Sequence, residues 1–178
     1  MLTLFLSGFL TITYSQSFKE LDFNKIPVPY EGKVIDAYEI HDKDGAHLYL
    51  VTKLIGKQTE IRGFKFSRSD SGYKQVWQIK DSGEEIALHF KYTKIIDIDK
   101  DGRLETIFVY QINPDYAEGS NWKIILHHKD RKYVLRAHVP ELDHDRYSVK
   151  IDPAPGFITS GLQSHWELIV RELNLKTK

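Results

Sequence analysis

The stretch Asp97-Ile-Asp-Lys-Asp-Gly-Arg-Leu-Glu-Thr-Ile-Phe-Val-Tyr-Gln-Ile112 joins an acidic loop directly to an apolar segment. From Leu104 to Ile112 the apolar residues occupy both odd and even positions, and most are β-branched or aromatic. A strand covered on one side only would alternate with polar residues. This segment therefore predicts a central β-strand buried on both faces. A strand of that kind needs partners on either side and a covering layer above and below.

The flanking sequence supplies them. Glu85 to Tyr92 alternates, with Ile86, Leu88, Phe90 and Tyr92 on one side and Glu85, Ala87, His89 and Lys91 on the other, which predicts a half-buried strand. Lys33–Ile40 and His47–Leu54 flank the turn His41-Asp-Lys-Asp-Gly45, a hairpin with Gly45 at the position that needs positive φ. Glu60–Ser67 and Tyr73–Ile79 are strands separated by Ser69-Asp-Ser-Gly72, and Asp81-Ser-Gly83 reads as another turn. Trp122–His128 and Lys132–His138 form a second hairpin about Lys129-Asp-Arg131, with Trp122, Ile124 and Leu126 on one face. Tyr147–Ile151 is a further strand, and Phe18–Tyr30, with two prolines, is an irregular lead-in.

At the end of the chain the period changes. Leu162, Trp166, Ile169, Val170 and Leu173 recur at helical spacing, and Ser160 with Gln163 matches a capping box, which predicts one amphipathic helix over about 161–173. The fold class is mainly β: an antiparallel meander or sandwich of about 8–10 strands with one C-terminal amphipathic helix.

Bulk composition is that of one globular domain: 178 residues, 41% hydrophobic and 28% charged. Lys plus Arg and Asp plus Glu are 25 each, so nothing draws the chain toward nucleic acid or anionic membrane. Cysteine is absent, which excludes disulfides, thiolate metal sites and thiol nucleophiles. It also excludes a lipid-anchor cysteine. Leu2 to Thr13 is nearly all apolar or small, and Thr13 and Ser15 are small residues at the −3 and −1 positions of a cleavage after Ser15. Residues 1–15 are thus expected to be a signal peptide, with a single β-rich domain over 17–178 and no later membrane anchor. A buried first strand is the alternative. The expected location is exported: periplasmic, cell-surface or secreted.

The acidic loop carries the clearest chemistry. Calcium is a hard cation that takes six to eight oxygens. Asp97, Asp99 and Asp101 stand at positions 1, 3 and 5 of a loop that turns at Gly102. Position 7, Arg103, is the usual backbone-carbonyl ligand, and Glu105 at position 9 supplies another carboxylate. Position 12 is Phe108 and the flanks are β-rich, so this is not an EF-hand. The loop resembles the Asp-x-Asp-x-Asp-Gly-x-x-Asp/Glu calcium loops that join strands in integrin-type propellers and many secreted bacterial domains. The alternative is a metal-free acidic turn, in which each close carboxylate pair costs ~1 kcal/mol even at the dielectric of water. Lys100 and Arg103 offset part of that repulsion. The similar turn Asp42-Lys-Asp44-Gly45 has Ile40 and Leu48 at its positions 1 and 9 and is expected to be a plain Asx/Gly turn.

Of the eight histidines, His138 and His144 sit near Asp143 and Asp145, a cluster that could bind a transition metal or act as an acid/base group, with a polar loop as the expected reading. His127 and His128 are adjacent on a strand and face opposite ways. Glu141-Leu-Asp-His-Asp145 reads as a polar loop, and His165 as a structural residue beside the helix stripe. Trp77, Trp122 and Trp166 are expected in core or rim. The chain contains no Gly-x-Ser-x-Gly elbow, phosphate loop, dinucleotide fingerprint or zinc-protease motif, and no catalytic residue is assigned.

The order Val76-Trp-Gln-Ile-Lys-Asp81, the acidic loop with its apolar strand, Trp122-Lys-Ile-Ile-Leu-His-His128, Arg131-Lys-Tyr-Val-Leu-Arg136 and Ser164-His-Trp-Glu167 resembles one bacterial family. Its members are small exported proteins of Gram-negative bacteria assigned to surface-polysaccharide (lipopolysaccharide) biosynthesis. The resemblance covers about residues 33–172. It implies a role in making or presenting surface polysaccharide, with polysaccharide or cell-envelope components as partners, and supplies no reaction. A calcium-stabilised, non-catalytic accessory or binding module is the leading expectation. A glycan hydrolase using a carboxylate pair and an extracellular structural or adhesion domain are the alternatives.

Overall fold

A computed structural model describes residues 16–114, 119–129, 131–140 and 147–175. The expected signal peptide, the Glu141–Asp145 segment and Asp130 of the second hairpin turn lie outside the described residues.

The molecule is mainly β, with two antiparallel sheets and one helix near the C-terminus. The first sheet is a meander of β1 (Ser17–Glu20), β2 (Lys33–Asp42), β3 (Gly45–Ile55), β4 (Thr59–Ser69) and β5 (Gly72–Gly83), in that spatial order. The second contains β6 (Ile86–Leu88), β7 (Lys94–Ile96), β8 (Glu105–Ile112), β9 (Ser120–His128), β10 (Arg131–Val139) and β11 (Ser148–Ile151). Its order is β11-β10-β9-β8-β6, with β7 also paired to β8. Helix α1 spans Gly156–Glu172.

The packing explains the two-sided apolar pattern of β8. Ile107 and Val109 point to a core shared with Trp122, Ile124, Leu126, Ile158, Leu162 and Trp166, under the helix. Phe108 and Tyr110 point the other way, into the space between the sheets, against Ile40, Tyr49, Val51, Ile61 and Ile79. A third cluster lies on the outer face of the first sheet. There Leu48, Leu50, Phe64 and Phe66 are covered by Val28, Leu21, Phe23 and Ile26. The lead-in is thus a lid over that face, and it contributes the edge strand β1, which pairs with β2 through Ser17↔His41 to Glu20↔Tyr38. Each large apolar side chain so buried contributes roughly 1.5–3 kcal/mol.

Three local expectations are corrected. Glu85–Tyr92 is not one strand. Leu88 pairs with Tyr110 and Lys94 with Ile107, so six steps of chain face three on β8, and the surplus is taken up by a 3-10 turn at Phe90–Tyr92. Tyr92 drives the break: its ring is buried under the helix, and its carbonyl accepts from His165 Nε2 at 2.6 Å. Phe90 is left exposed. Asp81-Ser-Gly83 is not a turn either, because the ladder with β4 continues to Thr59↔Gly83. Finally, α1 begins at Gly156, five residues before the expected 161. Pro155, with φ −55°, precedes it without a side-chain cap, and the buried Ile158 extends the apolar stripe forward. Ser160 therefore lies inside the helix and caps nothing. Gly161 serves packing: a Cβ there would fall 2.3 Å from Ile98 Cδ1, so its absence lets the helix sit against the acidic loop.

Candidate metal centre and adjoining cleft

The loop from Asp97 to Leu104 connects β7 to β8 and projects across the open end of the sandwich toward the β2–β3 turn. Its path is set by side chains folding back on backbone. Asp97 Oδ1 accepts the Asp101 N–H at 3.0 Å and Oδ2 accepts that of Gly102 at 3.0 Å. Asp99 Oδ1 also accepts from Asp101 N–H at 3.2 Å, and Asp101 Oδ1 accepts from Arg103 N–H at 2.9 Å. Lys100 has φ 57° and Gly102 φ 89°, so the chain passes twice through the left-handed region. Gly102 meets this without steric penalty.

The structure brings Asp97, Asp99 and Asp101 together, each offering an oxygen within 4.8 Å of the others. Cations surround Asp101: Arg103 Nη1 at 2.7 Å, Lys43 Nζ at 3.4 Å and Lys129 Nζ at 3.7 Å. Burial pushes the Asp101 carboxyl up, but the bonds from Arg103 and the charges of Arg103 and Lys43 outweigh it and hold it at about 2. Arg103 also reaches Asp44 on the β2–β3 turn at 2.5 Å, and Lys43 donates to the Asp101 carbonyl. The acidic loop is thereby fastened to the other sheet.

Glu105 stands apart from the three aspartates. It is only 2% exposed, accepts from Ile98 N–H at 2.9 Å, and meets His128 Nδ1 at 3.1 Å. Burial raises its pKa against the opposing bonds from Ile98 and His128. The other ring nitrogen of His128 lies 3.8 Å from Asp99 Oδ2, so Asp99, Glu105 and His128 form a second group that shares Asp99 with the first. His128 is a site residue that the sequence reading missed. It entered that reading only as the neighbour of His127, and the two do face opposite ways. The signal available was its place on β9 in register with β8, but the loop's approach to it is tertiary.

The residues fit a hard divalent cation. The three converging groups are all carboxylates, and each oxygen keeps lone pairs beyond those given to N–H donors. Asp97, Asp99 and Asp101 are the expected ligands whose oxygens converge, and they would hold such a cation. Glu105 groups instead with Asp99 and His128, and the Arg103 guanidinium pairs with Asp44 and Asp101.

Asp42 is more than a turn residue. As expected, its Oδ1 accepts the Asp44 N–H at 2.9 Å in an Asx turn. The same oxygen lies 3.0 Å from His47 Nε2, and Oδ2 accepts the Leu104 N–H at 3.1 Å. Burial works against its ionisation, yet the bonds from His47, Leu104 and Asp44 hold its carboxyl down at about 2. His47 Nδ1 in turn lies 2.9 Å from Ser67 Oγ. A chain of hydrogen bonds thus runs from the acidic loop through Asp42 and His47 to Ser67.

Ser67 lines a cleft of about 330 Å³ between the two sheets, whose wall includes Lys65, Trp77, Arg103, His127 and Lys129. Trp77 stacks on His127, with ring centroids 3.6 Å apart and planes 5° from parallel. Burial, with the nearby charges of Lys132 and Lys65, depresses His127 to about 3, so its ring is neutral. Sequence reasoning did not find this cleft. Its residues come from β3, β4, β5, β8, β9 and the loop, and only strand register assembles them.

Fold and loop together define a two-sheet β-sandwich closed at one end by an acidic, glycine-turned loop. Comparison with protein-family models, curated proteins and solved structures gives no match. Among the described residues no helix is long and apolar enough to cross a membrane.

Proposed function

We propose that this chain is an exported, calcium-stabilised β-sandwich domain that serves as a non-catalytic accessory or binding module in surface-polysaccharide assembly. The observation that carries the cation is the convergence of Asp97, Asp99 and Asp101 within 4.8 Å on a loop tied to both sheets. A cation there neutralises three mutually repelling carboxylates and stiffens the bridge between the sheets. The apolar segment at residues 2–13 supports export, and the order of aromatic and acidic motifs supports the envelope role.

The test is a thermal melt of the domain in excess calcium and in chelator. At a concentration 100 times the dissociation constant, calcium is expected to add about 2.7 kcal/mol. For a domain of this size that corresponds to a rise in Tm of roughly 5–10 °C. Asp99→Asn should abolish most of the rise, because Asp99 belongs to both candidate ligand groups. A native chain that melts at one temperature in calcium and in chelator would remove the cation from this reading. The envelope role is tested separately: unchanged surface polysaccharide after loss of the gene would end it.

A further inference from the structure

We propose that Asp99, Glu105 and His128 form a second cation site, for a transition metal of the zinc class, sharing only Asp99 with the calcium set. One oxygen of each carboxylate and one ring nitrogen lie within 4.8 Å of one another. Glu105 Oε1 is 3.1 Å from His128 Nδ1, and Asp99 Oδ2 is 3.8 Å from Nε2. Ligands held by one zinc ion at about 2.0–2.2 Å stand roughly 3–4 Å apart, so the three groups are spaced to close on one ion. Asp99 divides its oxygens between the two sets. Its Oδ1 accepts from Asp101 N–H within the acidic loop, whereas Oδ2 faces His128.

His128 carries the argument beyond a group of carboxylates. Its side chain is 8% exposed, and Nε2 has no hydrogen-bond partner among the described residues. The 3.8 Å to Asp99 is beyond the N–H···O range. An imidazolium at that position would draw the carboxylate in to about 2.7–2.9 Å. A nearly buried ring with a free nitrogen turned toward a carboxylate costs free energy unless something lies between them. The ring is also fixed in place, by Glu105 and by Phe157, whose ring meets it at 75° with centroids 5.3 Å apart. An open hollow of about 470 Å³, lined by Asp99, His128, Tyr133 and Phe157, gives an ion its path from solvent.

The donor set specifies the metal. Calcium and magnesium take oxygen ligands. An imidazole nitrogen beside two carboxylates suits zinc and its first-row neighbours. The ion itself selects the tautomer, by taking the lone pair of the nitrogen it binds. With three protein ligands a tetrahedral ion keeps one position for water.

Titration of the full chain with zinc chloride, without calcium and in excess calcium, tests the site. The readouts are calorimetry and the ring-nitrogen shifts of the ¹⁵N-labelled histidines. One ion per chain is expected, with the His128 ring nitrogens shifted and the zinc retained in calcium. His128→Gln, its folding checked by circular dichroism, should weaken zinc by at least ~100-fold, beyond the loss of an outer-shell partner, and leave the calcium-induced rise in Tm. Asp101→Asn should do the reverse. The two readings fail separately. Zinc binding without a calcium response keeps this site and ends the calcium reading, and the converse ends this site alone. The proposal is overturned if zinc leaves the His128 ring nitrogens unshifted in the native chain, whether it fails to bind or is held by other histidines. It is equally overturned if folded His128→Gln binds zinc like the native chain, or if an equal concentration of calcium expels the zinc, which would put both ions in the aspartate set.

Discussion

Asp42→Ala is expected to destabilise the domain by about 3–5 kcal/mol at pH 7, the cost of removing one partner of a buried, hydrogen-bonded charge. The side chain is almost fully buried and bonds His47 Nε2, Leu104 N–H and Asp44 N–H at once. Alanine would strand a buried imidazole and the backbone N–H at the start of β8. The effect has a pH signature. The Asp42 carboxyl is held at about 2 in the folded chain against an ordinary 3.8. A depressed carboxylate pKa contributes stability that is complete above about pH 4 and is lost as the pH falls through about 2. Denaturant titrations at pH 7, 4 and 3 should therefore show the gap between native and variant chains narrowing at the lowest pH. A variant as stable as the native chain at pH 7 would show that the β2–β3 turn and the acidic loop hold together by other means.

The opposite sign is expected at Asp36. This residue is 4% exposed, its Oδ2 is without a hydrogen-bond partner among the described residues, and the same is true of Tyr49 Oη and Thr52 Oγ1 on β3. Burial raises its carboxyl from 3.8 to about 6, with a smaller push from Glu20, and the bonds from Tyr38 and Ala37 only partly offset this. A raised carboxyl pKa means the folded state holds its proton longer than the unfolded one. The related stability is complete below about pH 4 and is lost as the pH rises through about 6. The loss amounts to roughly 3 kcal/mol at neutral pH. Asp36→Asn keeps the shape and removes the charge, so it should stabilise the domain by up to about 3 kcal/mol at pH 8 and have little effect at pH 4. Equal stability of the two chains across pH 4–8 would mean that the buried carboxyl is solvated in a way its surroundings do not suggest.

Much of the fold was legible in the sequence because hydrophobic period reports burial directly. Leu104–Ile112 gave a strand covered on both faces, Trp122, Ile124 and Leu126 fell together under the helix, and Gly45 took the left-handed turn position with φ 112°. The errors came where tertiary contacts overrode a local pattern. Ile86, Leu88, Phe90 and Tyr92 alternate cleanly, yet Tyr92 is pulled under the helix and the strand breaks before it. Lead-in residues from Val28 back to Leu21 lack a period, because they cover a sheet face as irregular chain. For the site, the spacing of Asp97, Asp99 and Asp101 located the loop, since ligands within one turn are close in sequence as well as in space. Asp42, His47, Ser67, Trp77 and His128 were invisible as a group. Each comes from a different hairpin or strand, and no single-sequence pattern encodes which residues oppose one another across two sheets.

The sheets are fastened to each other at both ends of the gap. At one end stand Asp42 with Leu104, and Arg103 with Asp44. At the other, Tyr110 Oη donates to Asp81 Oδ2 at 2.7 Å beside the Lys123–Asp81 pair. Leu104 and Tyr110 are six residues apart, so the two fastenings are separated by about 20 Å along the strand direction. Two sheets joined at a single point can scissor; two sheets joined at both ends keep a fixed spacing. The gap between them then keeps a set width instead of opening and closing. What adaptation it has must come from one wall, the acidic loop, and a cation seated there would set how far that wall can give.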